Sequence, residues 1–217
     1  MLNEILFLLK KEITLEWRQK YAIGGILLYV ASTIFVVYIS FIKVQPNVWN
    51  VMFWIIALFA SVNAVVKSFI QESGTRQLYY YQLANPTAIL MSKIIYNICL
   101  LLLINALTYA LFSFVTENPV KLQGQFWIAL LLGSIGFGIT FTFVSAISAK
   151  ANNSATLMAI LSFPIVLPTL LSLVKFTANA LGLITDTATY KDILILLSID
   201  AILVSLAFIL FPYNWRD

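Results

Sequence analysis

The side chains best suited to binding chemistry lie in one polar stretch, from Lys67 to Lys93. This stretch is the longest polar interruption between two apolar runs, and it carries three consecutive tyrosines at 79–81. Residues 75–83 lack Gly and Pro, so they can form a short helix between the breaks at Gly74 and Asn85-Pro86. Such a helix at a membrane surface would bind a soluble partner. The alternative is a solvated loop whose tyrosines lie among the lipid headgroups.

A second candidate is Asp200, a carboxylate near the middle of a strongly apolar run. An ionised carboxylate at the centre of a membrane costs about 2.5–3.5 kcal/mol on insertion scales. We therefore expect Asp200 to be protonated, hydrogen-bonded, or beside water or a cation such as Lys175. The two interpretations are a step on a substrate or proton path and a satisfied contact between helices. Asn63 and Asn105 also lie within apolar runs, where we expect them to form hydrogen bonds between helices.

Other chemistry is excluded by the residues that are missing. The chain has no His, which excludes His-based metal sites, catalytic triads and axial haem ligation by His. Its one cysteine, Cys99, lies in an apolar run and cannot build a disulfide framework. The glycines from Gly133 to Gly138 are followed by Ile139, so they do not form a phosphate-binding loop. We expect no enzyme activity and no directly bound cofactor, so energy must come from a partner or a gradient.

The composition is that of a polytopic helical membrane protein. The 217 residues are 61% hydrophobic and only 10% charged, with a mean hydropathy of +0.95. A soluble domain carries roughly 25% charged residues. No polar block is long enough for a second, soluble domain, so residues 1–217 are predicted to form one transmembrane domain. The net charge of +4 does not indicate nucleic-acid binding, because the basic residues are scattered at the ends of apolar runs.

Residues 1–20 predict an amphipathic helix that lies in the membrane plane, with Trp17 and Tyr21 as interface anchors. Its apolar residues recur at steps of three and four, and its charges fall on another face. The apolar set is Leu2, Leu6, Leu9, Ile13 and Trp17, and the charged set is Glu4, Lys11 and Arg18.

Six apolar runs follow, each close to the roughly 20 residues that cross a bilayer. We place them at about 22–42, 49–70, 93–114, 126–148, 154–180 and 191–211. An even number of spans puts both termini on one side. Nine basic residues then share that side: Lys10, Lys11, Arg18, Lys20, Lys67, Arg76, Lys93, Lys150 and Arg216. Four lie on or near the other side: Lys43, Lys121, Lys175 and Lys191. This asymmetry predicts that the termini and the 67–93 segment are cytoplasmic.

Two of the spans have unusual compositions. The fourth is rich in small residues, including Gly133, Gly136 and Gly138, which predicts close packing against other helices. The fifth contains Pro164 and Pro168, which should kink or break that helix. Such a bend would act as a gate in a transporter, or would only shape the packing.

Three stretches resemble a known family. They are Phe69 through Gly74-Thr75 and the tyrosines to Ala88–Lys93, the Gly-rich fourth span ending at Lys150, and Phe163–Pro168 with its Pro-x-x-x-Pro. With the in-plane helix and six spans, they resemble permeases of type-2 ABC exporters and, among these, the CcmB family of the cytochrome c maturation complex CcmABCD. The chain departs from that family at Gln77, where an acidic residue is usual.

The resemblance implies a partner set and a role. The partners would be a CcmA-like ATPase, the haem-handling CcmC, the small CcmD and a second copy of the chain, in the bacterial inner membrane. Haem would be cargo of the complex, and ATP would be bound by the partner. The ATPase is expected to dock on Phe69 as an apolar knob, on Glu72 and Arg76 as charge contacts, on Gln77, and on Gly74 as a turn.

Two other functions share this architecture. One is an ABC exporter permease for a lipid-like or drug substrate. The other is a proton-coupled carrier that uses Asp200 as its proton site and works without an ATPase.

Overall fold

The computed structural model describes residues 2–18, 20–41, 43–70, 85–149, 154–184 and 189–216. These residues form eight helices and no strand. The helices are α1 Leu2–Arg18, α2 Lys20–Ser40, α3 Pro46–Val65, α4 Lys67–Ile70, α5 Pro86–Thr116, α6 Gln123–Ser148, α7 Ser154–Ala180 and α8 Thr189–Arg216. Six of them (α2, α3 and α5 to α8) are long and apolar enough to cross a membrane. The predicted class, an all-α membrane protein with six spans, is confirmed.

The ends of two helices differ from the prediction for a local reason. Helix α3 ends at Val65 rather than near 70, and a turn at Val66 separates it from the single turn of α4. Helix α5 begins at Pro86 rather than near 93, because Pro86 suits the first helical position and the Asn85 side chain accepts a hydrogen bond from the Thr87 amide. The end of the predicted 67–93 segment is therefore part of a membrane helix.

Helix α6 is the centre of the bundle and packs against α3, α4, α5, α7 and α8. Its glycines let these neighbours approach closely. A Cβ on Gly133 would lie 2.8 Å from the Trp54 ring, and one on Gly138 would lie 2.7 Å from Cγ1 of Ile98. The prediction of a tightly packed fourth span is confirmed.

Helix α7 continues through Pro164 and Pro168, so of the predicted kink or break the break does not occur, and a kink stays a prediction. Both prolines lie on an exposed side of the helix. Membrane helices tolerate proline because local adjustment and neighbouring groups satisfy the freed backbone carbonyls. A role for the two prolines as a gate stays a prediction.

Helix α1 packs mainly against the beginning of α5. Leu8 is buried, whereas Leu6, Phe7 and Ile13 are exposed. An exposed apolar face suits a helix that lies among lipid headgroups. The in-plane orientation itself stays a prediction. We call the end of the bundle where α3 ends and α5 begins the junction end, and the opposite end the far end.

Candidate coupling site

The residues that the sequence singled out are not gathered in one place. Phe69 lies on α4 at the junction end, and its ring packs on Phe211 near the end of α8. Asp200 precedes Phe211 by eleven residues, which is about 16 Å along a helix. The other predicted docking residues, Glu72, Gly74, Arg76 and Gln77, fall between 71 and 84, outside the described residues.

Phe69 faces the interior of the bundle. Its side chain is 6% exposed, and the ring centroids of Phe69 and Phe211 are 5.6 Å apart. The Lys93 Nζ atom lies 4.8 Å from the centroid of the same ring, within range of a cation–π interaction. The backbone amide of Phe69 donates to Ser145 Oγ at 3.4 Å. The ring is thus occupied within the subunit, and its predicted contact with an ATPase stays a prediction.

Lys93 is the most buried charged residue of this region, with 1% of its surface exposed. Its ammonium group lies 3.2 Å from Glu12 Oε1 on α1 and donates a hydrogen bond to the Ser68 carbonyl on α4. A buried ammonium needs such partners, because burying an unpaired charge is very costly. Lys93 therefore joins three helices: α1, α4 and its own α5.

Asn97, one turn after Lys93, extends this contact to the central helix. Its Nδ2 group donates to Ser68 Oγ at 3.1 Å and to Thr142 Oγ1 at 2.8 Å. Ser145, one turn after Thr142, donates from its hydroxyl to the Val66 carbonyl at 3.4 Å. The turn that carries α4 is therefore held by polar groups of α5 on one side and of α6 on the other.

A second contact with α1 lies at Asn85, the first described residue after position 84. Its backbone amide donates to Glu4 Oε1 at 2.8 Å. Glu4 and Glu12 are eight residues apart, or about 12 Å along α1. Helix α1 thus bonds to both flanks of residues 71–84: to Asn85 directly, and to Ser68 through Lys93. We call Glu4, Glu12, Ser68, Lys93 and Asn97 the coupling junction.

Comparison with known proteins decides the family. A family model described as CcmB protein matches residues 3–212. The chain belongs to the CcmB family. No curated protein matched the sequence. Membership confirms the resemblance and makes this chain a multi-pass membrane protein of transport and cytochrome c biogenesis, of the permease type.

The coupling junction of this CcmB-family chain joins α1, α4 and α5 by polar contacts. Its groups are an ammonium, two carboxylates, an amide and a hydroxyl, joined by hydrogen bonds and an ion pair. Among the described residues, no group of three or more His, Cys, Asp or Glu side chains is placed to hold a metal ion. Ion pairs and hydrogen bonds between rigid helices have discrete made and broken arrangements, which suits a switch.

Sequence reasoning missed most of this junction. It assigned Lys93 to the basic residues that set membrane orientation and placed Glu4 on a charged face of α1, and it gave Glu12 no role. One signal was available. Lys93 and Asn97 are four residues apart at the start of an apolar span, so they share one helix face. Two polar residues on one face of a membrane helix indicate a buried contact with other helices.

The polar residues predicted to lie inside the membrane differ from one another in burial and in hydrogen bonding. Asn105 is buried and its Nδ2 group donates to Ser134 Oγ at 3.0 Å, which confirms its predicted bond between helices. Asn63 is exposed on α3 rather than buried against another helix. Lys175 bonds Asp192 Oδ1 at 2.9 Å. Neither oxygen of Asp200 has a hydrogen-bond partner in the described parts of the chain.

Proposed function

We propose that this chain is the permease subunit of an ABC transporter complex that handles haem for c-type cytochrome biogenesis. A separate CcmA-like subunit would hydrolyse ATP, and this chain would convert the resulting motion into movement of its membrane helices. The complex would also contain CcmC-like and CcmD-like subunits and two copies of this chain. It would reside in the bacterial inner membrane, with both termini cytoplasmic. Haem is then cargo of the complex, and this chain binds no cofactor directly.

One observation carries this proposal: helix α1 bonds to both flanks of residues 71–84. Glu4 accepts from the Asn85 amide, and Glu12 pairs with the Lys93 ammonium that also bonds the Ser68 carbonyl. A force on this segment therefore reaches α1, α4 and α5 together. Helix α4 passes the same force to α6 through Ser145.

The ATPase would act through contacts that differ between its two nucleotide states, because only a differential interaction shifts a conformational equilibrium. We assign these contacts to Glu72, Arg76 and Gln77, with Gly74 as the turn that directs the segment. Phe69 would remain the apolar knob of this coupling, although its side chain is buried. Its buried ring would receive the motion of the segment and press on Phe211 of α8.

The test uses two substitutions in residues 71–84: Gly74→Trp and Arg76→Glu. We expect both to reduce the amount of ATPase that co-purifies with the tagged chain and to reduce holo-cytochrome c. Lys43→Glu is a matched control, because Lys43 is an exposed basic residue at the far end. Normal co-purification and normal holo-cytochrome c in both variants would contradict the proposal.

A further inference from the structure

Helices α6, α7 and α8 meet at a small polar site around Asp200. Asp200 of α8 is 5% exposed, and Thr169 of α7 is fully buried beside it. A Cβ on Gly136 of α6 would lie 2.8 Å from Asp200 Oδ1 and 2.9 Å from Thr169 Cγ2. The carboxyl group thus lies in the space left by the missing side chain of Gly136. Neither carboxyl oxygen, nor the Thr169 hydroxyl, has a hydrogen-bond partner among the described residues.

No charge on the packed helices compensates Asp200 in the described structure. Helix α6 has no ionisable residue. The only one on α7 is Lys175, whose ammonium bonds Asp192, about 12 Å from Asp200 along α8. On α5, Lys93 pairs with Glu12 at the coupling junction, and Tyr109 bonds Gln123 at the far end. Among the titratable groups whose side chains the structure describes on these helices, Tyr96, Cys99, Tyr190 and Lys191 also form no hydrogen bond with the carboxyl.

An ionised carboxylate in such a place would be highly unfavourable, because burial removes its hydration and none of the described groups replaces it. A neutral carboxyl avoids most of this cost. We propose that Asp200 is a proton-binding site, neutral while α8 packs against Gly136. Loss of the proton would create a charge that the site cannot hold. Helix α8 would then have to separate from α6 until water or a cation reaches the carboxylate.

Thr169 is suited to serve both states of the site. A hydroxyl group can donate to a carboxylate and can accept from a protonated carboxyl. Both side chains approach the position that a Cβ on Gly136 would take, at 2.8 Å for Asp200 Oδ1 and 2.9 Å for Thr169 Cγ2. This site is separate from the coupling junction and does not depend on an ATPase partner. Binding of a proton at Asp200 would bias the contact between α6 and α8, whatever energy source drives the chain.

Infrared spectroscopy of the full chain in lipid nanodiscs tests the proposal. At neutral pH an exposed aspartate is ionised, since its ordinary pKa is about 3.9. We expect the wild-type chain to show a protonated-carboxyl band that shifts in heavy water and is lost in Asp200→Asn. In Asp192→Asn, which removes a carboxylate paired with Lys175, the band should remain. A wild-type spectrum without that band, or a band unchanged in Asp200→Asn, would overturn the proposal.

A second measurement needs no spectral assignment. If Asp200 holds its proton only in the folded chain, the folded state binds more protons than the unfolded state. Stability then falls as pH rises. We expect the thermal midpoint of the wild type to drop relative to that of Asp200→Asn from mildly acidic to alkaline pH. A constant difference between the two midpoints would argue against the site. If Asp200→Asn does not fold, the protonated-carboxyl band of the wild type is followed to alkaline pH instead. Reversible loss of the band would support the proton site, and a band that does not respond to pH would contradict it.

Discussion

At the far end of the bundle, the Trp49 ring stacks between the rings of Phe53 and Phe112, with centroid distances of 5.5 and 5.0 Å. At the junction end, the corresponding central group is the ammonium of Lys93, which is held by Glu12 and the Ser68 carbonyl. Both groups are almost fully buried. The first is held by broad aromatic surfaces, and the second by a few directional contacts.

Polar bonds at the far end add to its rigidity. Trp54 Nε1 donates to Thr177 Oγ1 at 2.9 Å, the Thr177 hydroxyl lies 2.6 Å from Asn50 Oδ1, and Asn50 Nδ2 donates to the Val174 carbonyl at 2.8 Å. Together with the aromatic stack, these bonds join α3, α5 and α7. Dense packing of this kind deforms little.

We therefore expect the two ends of the bundle to have different roles. The far end is held by broad packing, while the coupling junction is held by a few directional bonds that, in the proposed function, a partner would make and break. Substitutions at the far end should therefore reduce stability. Substitutions at the junction should reduce the transmission of motion while the chain stays folded.

The largest effect on stability is expected at Trp49. Trp49→Ala removes a fully buried ring that stacks on two other rings. This loss should lower the free energy of unfolding by about 3–5 kcal/mol. Denaturant unfolding in mild detergent measures this change. Trp127→Ala is the control, because Trp127 lies at the same end with about half of its surface exposed. Equal losses of unfolding free energy in both variants would show that the stack around Trp49 stabilises the chain no more than a half-exposed tryptophan does.

The next largest effect is expected at Lys93, and it concerns transmission. Lys93→Met keeps the side-chain length but removes the cation from the Ser68 carbonyl and one of the two cations beside Glu12, which also pairs with Lys11 at 3.3 Å. We expect the ATPase still to co-purify, while holo-cytochrome c falls about tenfold, equivalent to about 1.4 kcal/mol.

A double-mutant cycle sharpens this result. Glu12→Gln combined with Lys93→Met should be less damaging than the sum of the two single changes, with a coupling energy of about 0.5–3 kcal/mol. Strict additivity would mean that the ion pair carries no coupling. Lys175→Met, which breaks the ion pair with Asp192 elsewhere in the chain, is the matched control.

A smaller effect is expected at Glu4, which accepts one hydrogen bond from the Asn85 amide. Glu4→Ala removes the acceptor and should reduce holo-cytochrome c only two- to fivefold, in keeping with about 0.5–1 kcal/mol for one hydrogen bond. Glu4→Gln retains an acceptor oxygen and should lie close to the wild type. A stronger defect in Glu4→Gln than in Glu4→Ala would contradict this role of the bond.

The smallest perturbation tests which end faces the cytoplasm. In a Cys99→Ala background, a single cysteine at Tyr81→Cys should react with a membrane-impermeant thiol reagent only from the cytoplasmic side. Lys43→Cys, at the far end, should react only from the opposite side. Labelling of position 81 from outside would reverse the assignment of the two ends and remove the ATPase from the coupling junction.

Much of the fold was predictable because its determinants are local. Runs of about 20 apolar residues can only be membrane helices, and the span predicted at 154–180 agrees with α7. Helix α5 begins before the predicted Lys93, because Asn85 and Pro86 carry a helix-start signal that hydropathy does not reveal. The sequence could not decide between a kink and a break at the prolines of α7, because the neighbouring groups that satisfy the freed backbone carbonyls depend on packing.

The sequence alone determined that the chain is a six-span, all-α membrane protein of the CcmB family, since hydropathy, length and family motifs are all read along the chain. Only the tertiary structure decided that Lys93 is buried against Glu12, 81 residues away in sequence, and that Asp200 lies beside Gly136 with no hydrogen-bond partner among the described residues. A charge near a helix end has the same local pattern whether it faces solvent or another helix. Its environment is set by which helices pack together, and no local pattern encodes that packing.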